Sequence, residues 1–215
     1  MTVIQLYLQR IIYSLKLNLM KLSFYAVIAA MFMLFSTQLV AQDYIPGQIY
    51  EGYIVKEDGS RVQGFIRYGT LEQNRGLCEF YTDKTNRKTR TKYKVKDIAG
   101  YKVGSEEYIS VDFRSVIKQR LFAKVEAKGH IMILSVAEPS KDNPNAFEYV
   151  MGLKKGDEEA IGTARFIRFA KQMSEYVEDY SELSQKIANK EKGYRLLDMY
   201  SIIEEYNNWY AANHE

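Results

Sequence analysis

The 215-residue chain holds one cysteine, one tryptophan, two histidines and three prolines. With Cys78 alone there is no internal disulfide, which removes the disulfide-framed miniprotein class. A composition 47% hydrophobic and 27% charged removes disordered chains and multispan membrane proteins as well. Two histidines leave little for a metal centre, which needs three or four converging ligands. His130 follows Lys128-Gly129 at a hairpin tip, with Glu126 four positions earlier but no second His or Cys nearby, and His214 ends the chain but for one residue. His130 reads as a turn residue. No Gly-x-Ser-x-Gly elbow, glycine-rich phosphate loop or His-Glu-x-x-His helix occurs. Asp142-Asn143-Pro144-Asn145 imitates a calcium loop, yet Pro144 stands where an oxygen ligand belongs and no glutamate closes the loop. No catalytic residue, cofactor or metal site is assigned from the sequence.

Negative charge is missing from residues 1–41. That stretch carries Arg10, Lys16 and Lys21, which account for the entire net charge of +3, so the remainder is balanced. Residues 22–35 run without a charge, turn polar at Ser36-Thr37-Gln38 and end in Leu39-Val40-Ala41. This is the basic, apolar and small-residue succession of a signal peptide, and the apolar run falls short of the roughly 20 residues of a bilayer span. Cleavage after Ala41 makes Gln42 the first mature residue. A start at Met20, followed at once by Lys21, gives a leader of ordinary length where Met1 gives a long one. The alternative is an uncleaved single-span anchor, because 22–41 is uncharged throughout. Either way the remainder is exported, to the periplasm or beyond. No cysteine follows the apolar run, so a lipoprotein anchor is excluded. Cys78 reads as a small buried hydrophobe in a strand over 77–81.

From 48 to 153, short segments rich in Tyr, Ile, Val, Phe and Thr alternate with Gly, Asp and Asn, the punctuation of strands and turns. Strands are expected at 48–56, 61–68, 77–81, 89–95, 100–103, 108–113, 120–127, 131–137 and 147–153, the first two joined by Asp58-Gly59. After Gly156 the period lengthens to about 3.6. Phe166, Phe169, Ala170, Met173, Tyr176 and Val177 form one helical stripe. Asp179 or Ser181 is placed to cap a second helix carrying Leu183 and Ile187. Leu196, Met199, Tyr200, Ile203, Tyr206 and Tyr210 line a third, with Trp209 at its margin. Strands first and helices last predict an α+β fold: an antiparallel sheet, sandwich- or barrel-like, of about eight or nine strands over 42–160, with helices of 161–215 packed on it.

Gly52-Tyr53-Ile54-Val55, then Asp58-Gly59, Gly64-Phe65-Ile66 and Lys96-Asp97-Ile98-Ala99-Gly100-Tyr101 resemble a family of uncharacterised exported proteins of Bacteroidota. The ending Tyr206-Asn207-Asn208-Trp209-Tyr210 is similar to one common there. The hairpin tip departs from it, with Asp58-Gly59-Ser60-Arg61 in place of a Gly-Asp-Thr turn. The resemblance implies an envelope location and brings no functional residue.

One constellation stands out. Lys88, Arg90, Lys92, Lys94 and Lys96 alternate with Thr89, Thr91, Tyr93 and Val95, so an extended strand projects all five cations from one face. The structural reading is a solvated face whose lysines guard a sheet edge. The functional one is a patch for an anionic glycan, lipid head groups or an acidic surface of an envelope protein. Nucleic acid is not expected as a partner, given export and a balanced mature charge, and membrane contact is expected only through the N-terminal segment. Eighteen tyrosines suit either a binding face or a sheet covered by helices. The function expected is a noncatalytic binding or envelope-assembly module. A hydrolase-like periplasmic enzyme and a structural component of an envelope complex are the alternatives.

Overall fold

A computed structural model describes residues 44–115, 118–140, 142, 143 and 145–214. The expected leader lies outside them. In chain order the elements are β1 (Ile49–Val55), β2 (Arg61–Arg67), α1 (Leu71–Gly76), β3 (Leu77–Tyr81), β4 (Arg90–Lys94), β5 (Gly100–Val103), β6 (Glu106–Arg114), β7 (Lys118–Ala127), β8 (Ile131–Pro139), β9 (Phe147–Lys155), β10 (Ala160–Gly162), α2 (Phe169–Tyr176), α3 (Ser181–Ala188) and α4 (Met199–His214). The protein is α+β. Its strands follow the order β10-β9-β8-β7-β6-β5-β1-β2-β3-β4, and β10 pairs a second time, in parallel, with β6. That pairing closes β6 to β10 into a barrel. Strand β6 makes both connections along its length: residues 106–109 pair with β5, and Phe113 and Arg114 pair with Ala160 and Ile161 of β10. All nine expected strands form, and the tenth, β10, is the one that closes the ring.

Three cores follow from this path. Val111, Phe113, Leu121, Ala123, Leu134, Val136 and Ala160 fill the barrel, supplied on β6 and β7 by alternate residues. A bulge between Val125 and Ala127 shifts the register against β8, so Val125 stays with the barrel interior while Ala127 turns to the helices. A second core gathers Ile54, Ile66, Cys78, Phe80, Tyr101 and Phe122. Helix α1 is held by a capping box: the Thr70 hydroxyl accepts from the Gln73 N–H, and the Gln73 side chain accepts from the Thr70 N–H. The Tyr101 hydroxyl donates to the Asn74 carbonyl at 3.0 Å, tying α1 to β5.

Two glycines of the first hairpin permit close approach. Gly52 and Gly64 face each other across β1 and β2. A Cβ on Gly52 would strike the Lys102 carbonyl, and one on Gly64 the Phe80 ring, so both positions admit no side chain. At the tip, Gly59 takes φ of +80° and Asp58 accepts from the Ser60 N–H, the local chemistry of a tight turn.

The third core joins Ile131, Ile133 and Leu153 to Met173, Val177, Leu183, Ile187, Ile202, Ile203 and Tyr206. Helix α4 is fixed by its side chains. Asn207 accepts from the Ile131 N–H at 2.8 Å and donates to the Ile131 carbonyl at 2.9 Å. Trp209 stacks on Tyr180 with centroids 4.6 Å apart, and Tyr210 stacks on His130 at 3.6 Å. The inward face is therefore Met199, Ile202, Ile203 and Tyr206, whereas Leu196 and Tyr200, expected on the stripe, are 52% and 53% exposed. Neither Asp179 nor Ser181 caps α3 with its side chain; Asp179 is engaged by Lys155 and Tyr206 instead. Residues Tyr44–Glu215 form one compact unit, and all three cores lie within it. Among the described residues no helix is long and apolar enough to cross a membrane.

Replacing Asn207 with Ala strips the partly buried Ile131 peptide groups of both partners, and should cost about 1–3 kcal/mol in urea unfolding. The exposed neighbour is the control: Asn208→Ala should stay within about 0.5 kcal/mol.

Candidate functional site

The basic row lies at the free end of the sheet, on and around edge strand β4. Only Arg90, Lys92 and Lys94 belong to the strand. Lys88 sits in a one-turn helix, Arg87–Thr89, and Lys96 in the turn that follows β4. The expected single line of five cations is thus cut to three, because the Asn86 side chain accepts from the Lys88 N–H and Asp97 accepts from the Lys94 N–H, curling the chain at both ends. Within the strand, register sets Lys92 against Glu79 of β3, and Glu79 against Arg67 of β2. Glu79 is mostly buried and receives Lys92 at 3.4 Å, Arg67 at 3.5 Å and Arg90 at 4.0 Å. One carboxylate serves three cations there, while Lys94 lies opposite Leu77 with no such partner.

Two further polar clusters lie outside that row. Glu106 accepts from the Tyr108 hydroxyl at 2.7 Å and from Lys124 at 3.1 Å, and Lys124 also reaches Glu126 at 3.4 Å. Burial pushes the Tyr108 hydroxyl far up, with Tyr101 stacked against it. Burial works against the Lys124 ammonium, yet the hydrogen bond and charge of Glu106 hold it above its ordinary value. At the junction of barrel and helices, Lys155 donates to Asp179 at 2.8 Å and to the Tyr176 carbonyl at 2.9 Å, and the Tyr206 hydroxyl donates to Asp179 at 2.5 Å. Burial opposes the charged form of Asp179, but the bonds from Lys155 and Tyr206 hold its carboxyl below the usual value of 3.8. His130 packs flat on Tyr210, and burial followed by the Lys155 charge lowers its pKa.

Neither cluster assembles a recognised reaction centre. Among the described residues no three His, Cys, Asp or Glu converge as metal ligands. Cys78 is buried, and desolvation pushes its thiol far up, away from the reactive thiolate. The clusters tie strands and helices together.

A further feature is a groove at the helical end. About 500 Å³ opens between the start of α2 and the segment that leads into α4, with Ile167, Phe169, Tyr194 and Leu196 as its apolar lining. Arg168, Lys171, Lys190 and Arg195 complete it, and no lining residue is acidic. Lys171 reaches Glu175 at 3.8 Å, and the Asp198 carboxylate is taken by the Arg195 N–H at 3.0 Å. Arg168, Lys190 and the Arg195 guanidinium have no ion pair among the described residues. Beside the groove, Leu197 is 97% exposed and, at its mouth, Ile167 is 89% exposed. Leu196, expected on the apolar stripe, lies at the groove instead, and Ile167 and Leu197 belong to no expected stripe. Periodicity alone carried no signal of this, since consecutive helical residues can both turn inward, as Ile202 and Ile203 do. Comparison with protein-family models, with curated proteins and with solved structures finds no match.

The paired clusters yield two expectations. Lys92→Glu sets a second carboxylate beside Glu79 and should cost about 0.5–1 kcal/mol in chemical denaturation, whereas Lys94→Glu, opposite Leu77, should stay within about 0.5 kcal/mol. Asp179 titrates lower in the folded state than unfolded, so its contribution is complete above pH 3.8 and is lost as the pH falls through the lower folded value. Asp179→Asn should therefore be less stable than the parent at neutral pH, by about 1 kcal/mol after solvent screening. The difference should shrink below that value in melts taken along a pH series.

Proposed function

We propose that the protein is an exported, noncatalytic binding module of the cell envelope, whose contact surface is the helical groove and not the basic strand. The supporting observation is the distribution of exposed apolar side chains. Among the described residues, Ile167, Leu196, Leu197 and Tyr200 all belong to the groove or to the turn and first helical residues beside it, while only Ile45 and Tyr149 stand exposed elsewhere. A contiguous apolar patch on a soluble surface marks a contact site, whereas scattered single residues need no explanation. The basic strand supports the reading less well, because Glu79 engages three of the cations around it.

Export rests on the basic, apolar and small-residue leader of 1–41, and an envelope location agrees with the resemblance to exported proteins of Bacteroidota. The module acts by holding a partner against its helical end, with the barrel as a rigid support. The test is retention of the chain from Gln42 in washed envelope fractions. The double variant Ile167→Glu and Leu197→Glu, at side chains that support no core, should melt within a few degrees of the parent and lose retention by about tenfold or more. Undiminished retention of a folded variant would sink the assignment of this surface.

A further inference from the structure

We propose that the groove and its projecting side chains dock the protein onto an anionic lipid surface. This rests on the binding-module reading and names the partner of the same site. Two observations carry it. Ile167 and Leu197, at 89% and 97% exposure, stand almost wholly in water. A peptide lying in the groove would cover Phe169, Tyr194 and Leu196 and leave the Leu197 tip outside the lining. A lipid surface takes such tips directly, since large apolar side chains flanked by cations are what an interfacial anchor presents to head groups and the upper acyl region.

The second observation is charge. Arg168, Lys190 and Arg195 surround the apolar tips without an ion pair among the described residues, and no acid lines the groove. Several other cations are paired, at Glu79, Glu106, Glu159 and Asp179, while Lys88, Lys94 and Lys96 of the basic row have no ion pair among the described residues but stand beside no exposed large apolar side chain. Unpaired cations around exposed apolar residues are complementary to anionic head groups. The chain's own leader is the wrong occupant by the same criterion, because Arg10, Lys16 and Lys21 come with no acidic residue.

Cosedimentation of the chain from Gln42 with vesicles tests the proposal, using mixed phosphatidylglycerol and phosphatidylcholine against phosphatidylcholine alone. Binding should be confined to the anionic vesicles and fall as salt rises. Leu197→Ser should weaken it at least about tenfold, and each of Arg168→Gln, Lys190→Gln and Arg195→Gln by about fivefold. Unchanged thermal melting identifies these as surface effects. Equal binding to both vesicle types would overturn the anionic recognition. Anionic binding unaffected by the groove variants but abolished by Lys88→Gln with Lys94→Gln would move it to the basic strand and overturn the site. Groove-dependent retention in envelopes without vesicle binding would overturn the lipid partner in favour of a protein, leaving the binding-module reading intact. Loss of neither retention nor vesicle binding on changing Ile167 and Leu197 would overturn both.

Discussion

The hold of Asn207 on the Ile131 peptide groups sets the rotation of α4, and much of the molecule's outer surface follows from it. A helix laid on a sheet by apolar contacts alone can roll, because several neighbouring faces bury similar area. Two hydrogen bonds of opposite sense to one backbone residue remove that freedom. With Asn207 on the strand, Ile202, Ile203 and Tyr206 turn inward, and Tyr206 meets Asp179. The same rotation leaves Tyr200 outside, and the turn before it carries Leu196 and Leu197 into solvent. The contact surface is thus a consequence of how the helix is seated.

The strand scaffold beneath is closed by a single short pairing. Antiparallel neighbours carry the chain from β6 to β9, and three residues of β10 bridge back to β6, removing an open edge from the barrel. The edge that remains, β4, carries Arg90, Lys92 and Lys94, and charge on an exposed edge discourages pairing with another chain. Part of the charge elsewhere is locally compensated. Glu79, Glu106, Glu159 and Asp179 each receive one cation or more. The groove cations Arg168, Lys190 and Arg195 have no ion pair among the described residues, and they differ from those of the basic row in standing beside exposed apolar side chains.

Much of this was legible in residue order. The nine longer strands could be located because Gly, Asp and Asn interrupt runs of β-branched and aromatic residues, and the change of period after Gly156 marks the turn to helices. Strand β10 was not legible, since Ala-Ile-Gly is too short to show alternation and its pairing with β6 depends on closure. Helix α1 left a trace in Thr70 and Gln73 that a capping-box search recovers. The basic row was visible as alternation, but its compensation was not, because Glu79 lies on another strand and the register that brings it to Lys92 is a tertiary fact. Periodicity found the third helix and most of its inward face, Met199, Ile203 and Tyr206, but not its limits. Apolar spacing alone admits Leu196 and Tyr200, and the side-chain bonds of Asn207 and Tyr206 decide the phase. The groove is not legible for that reason, since Leu196 fits the expected stripe and Ile167, Tyr194 and Leu197 fall on none.

The most direct measurement is the depth that residue 197 reaches on binding. Cys78 is buried and leaves an introduced cysteine as the reactive thiol among the described residues, so Leu197→Cys can carry a single environment-sensitive fluorophore. On addition of phosphatidylglycerol vesicles the emission should shift to the blue and become shielded from an aqueous quencher, while the same probe at Lys94→Cys on strand β4 remains in water. A probe at 197 that stays accessible to the quencher while the protein is vesicle-bound would contradict the account.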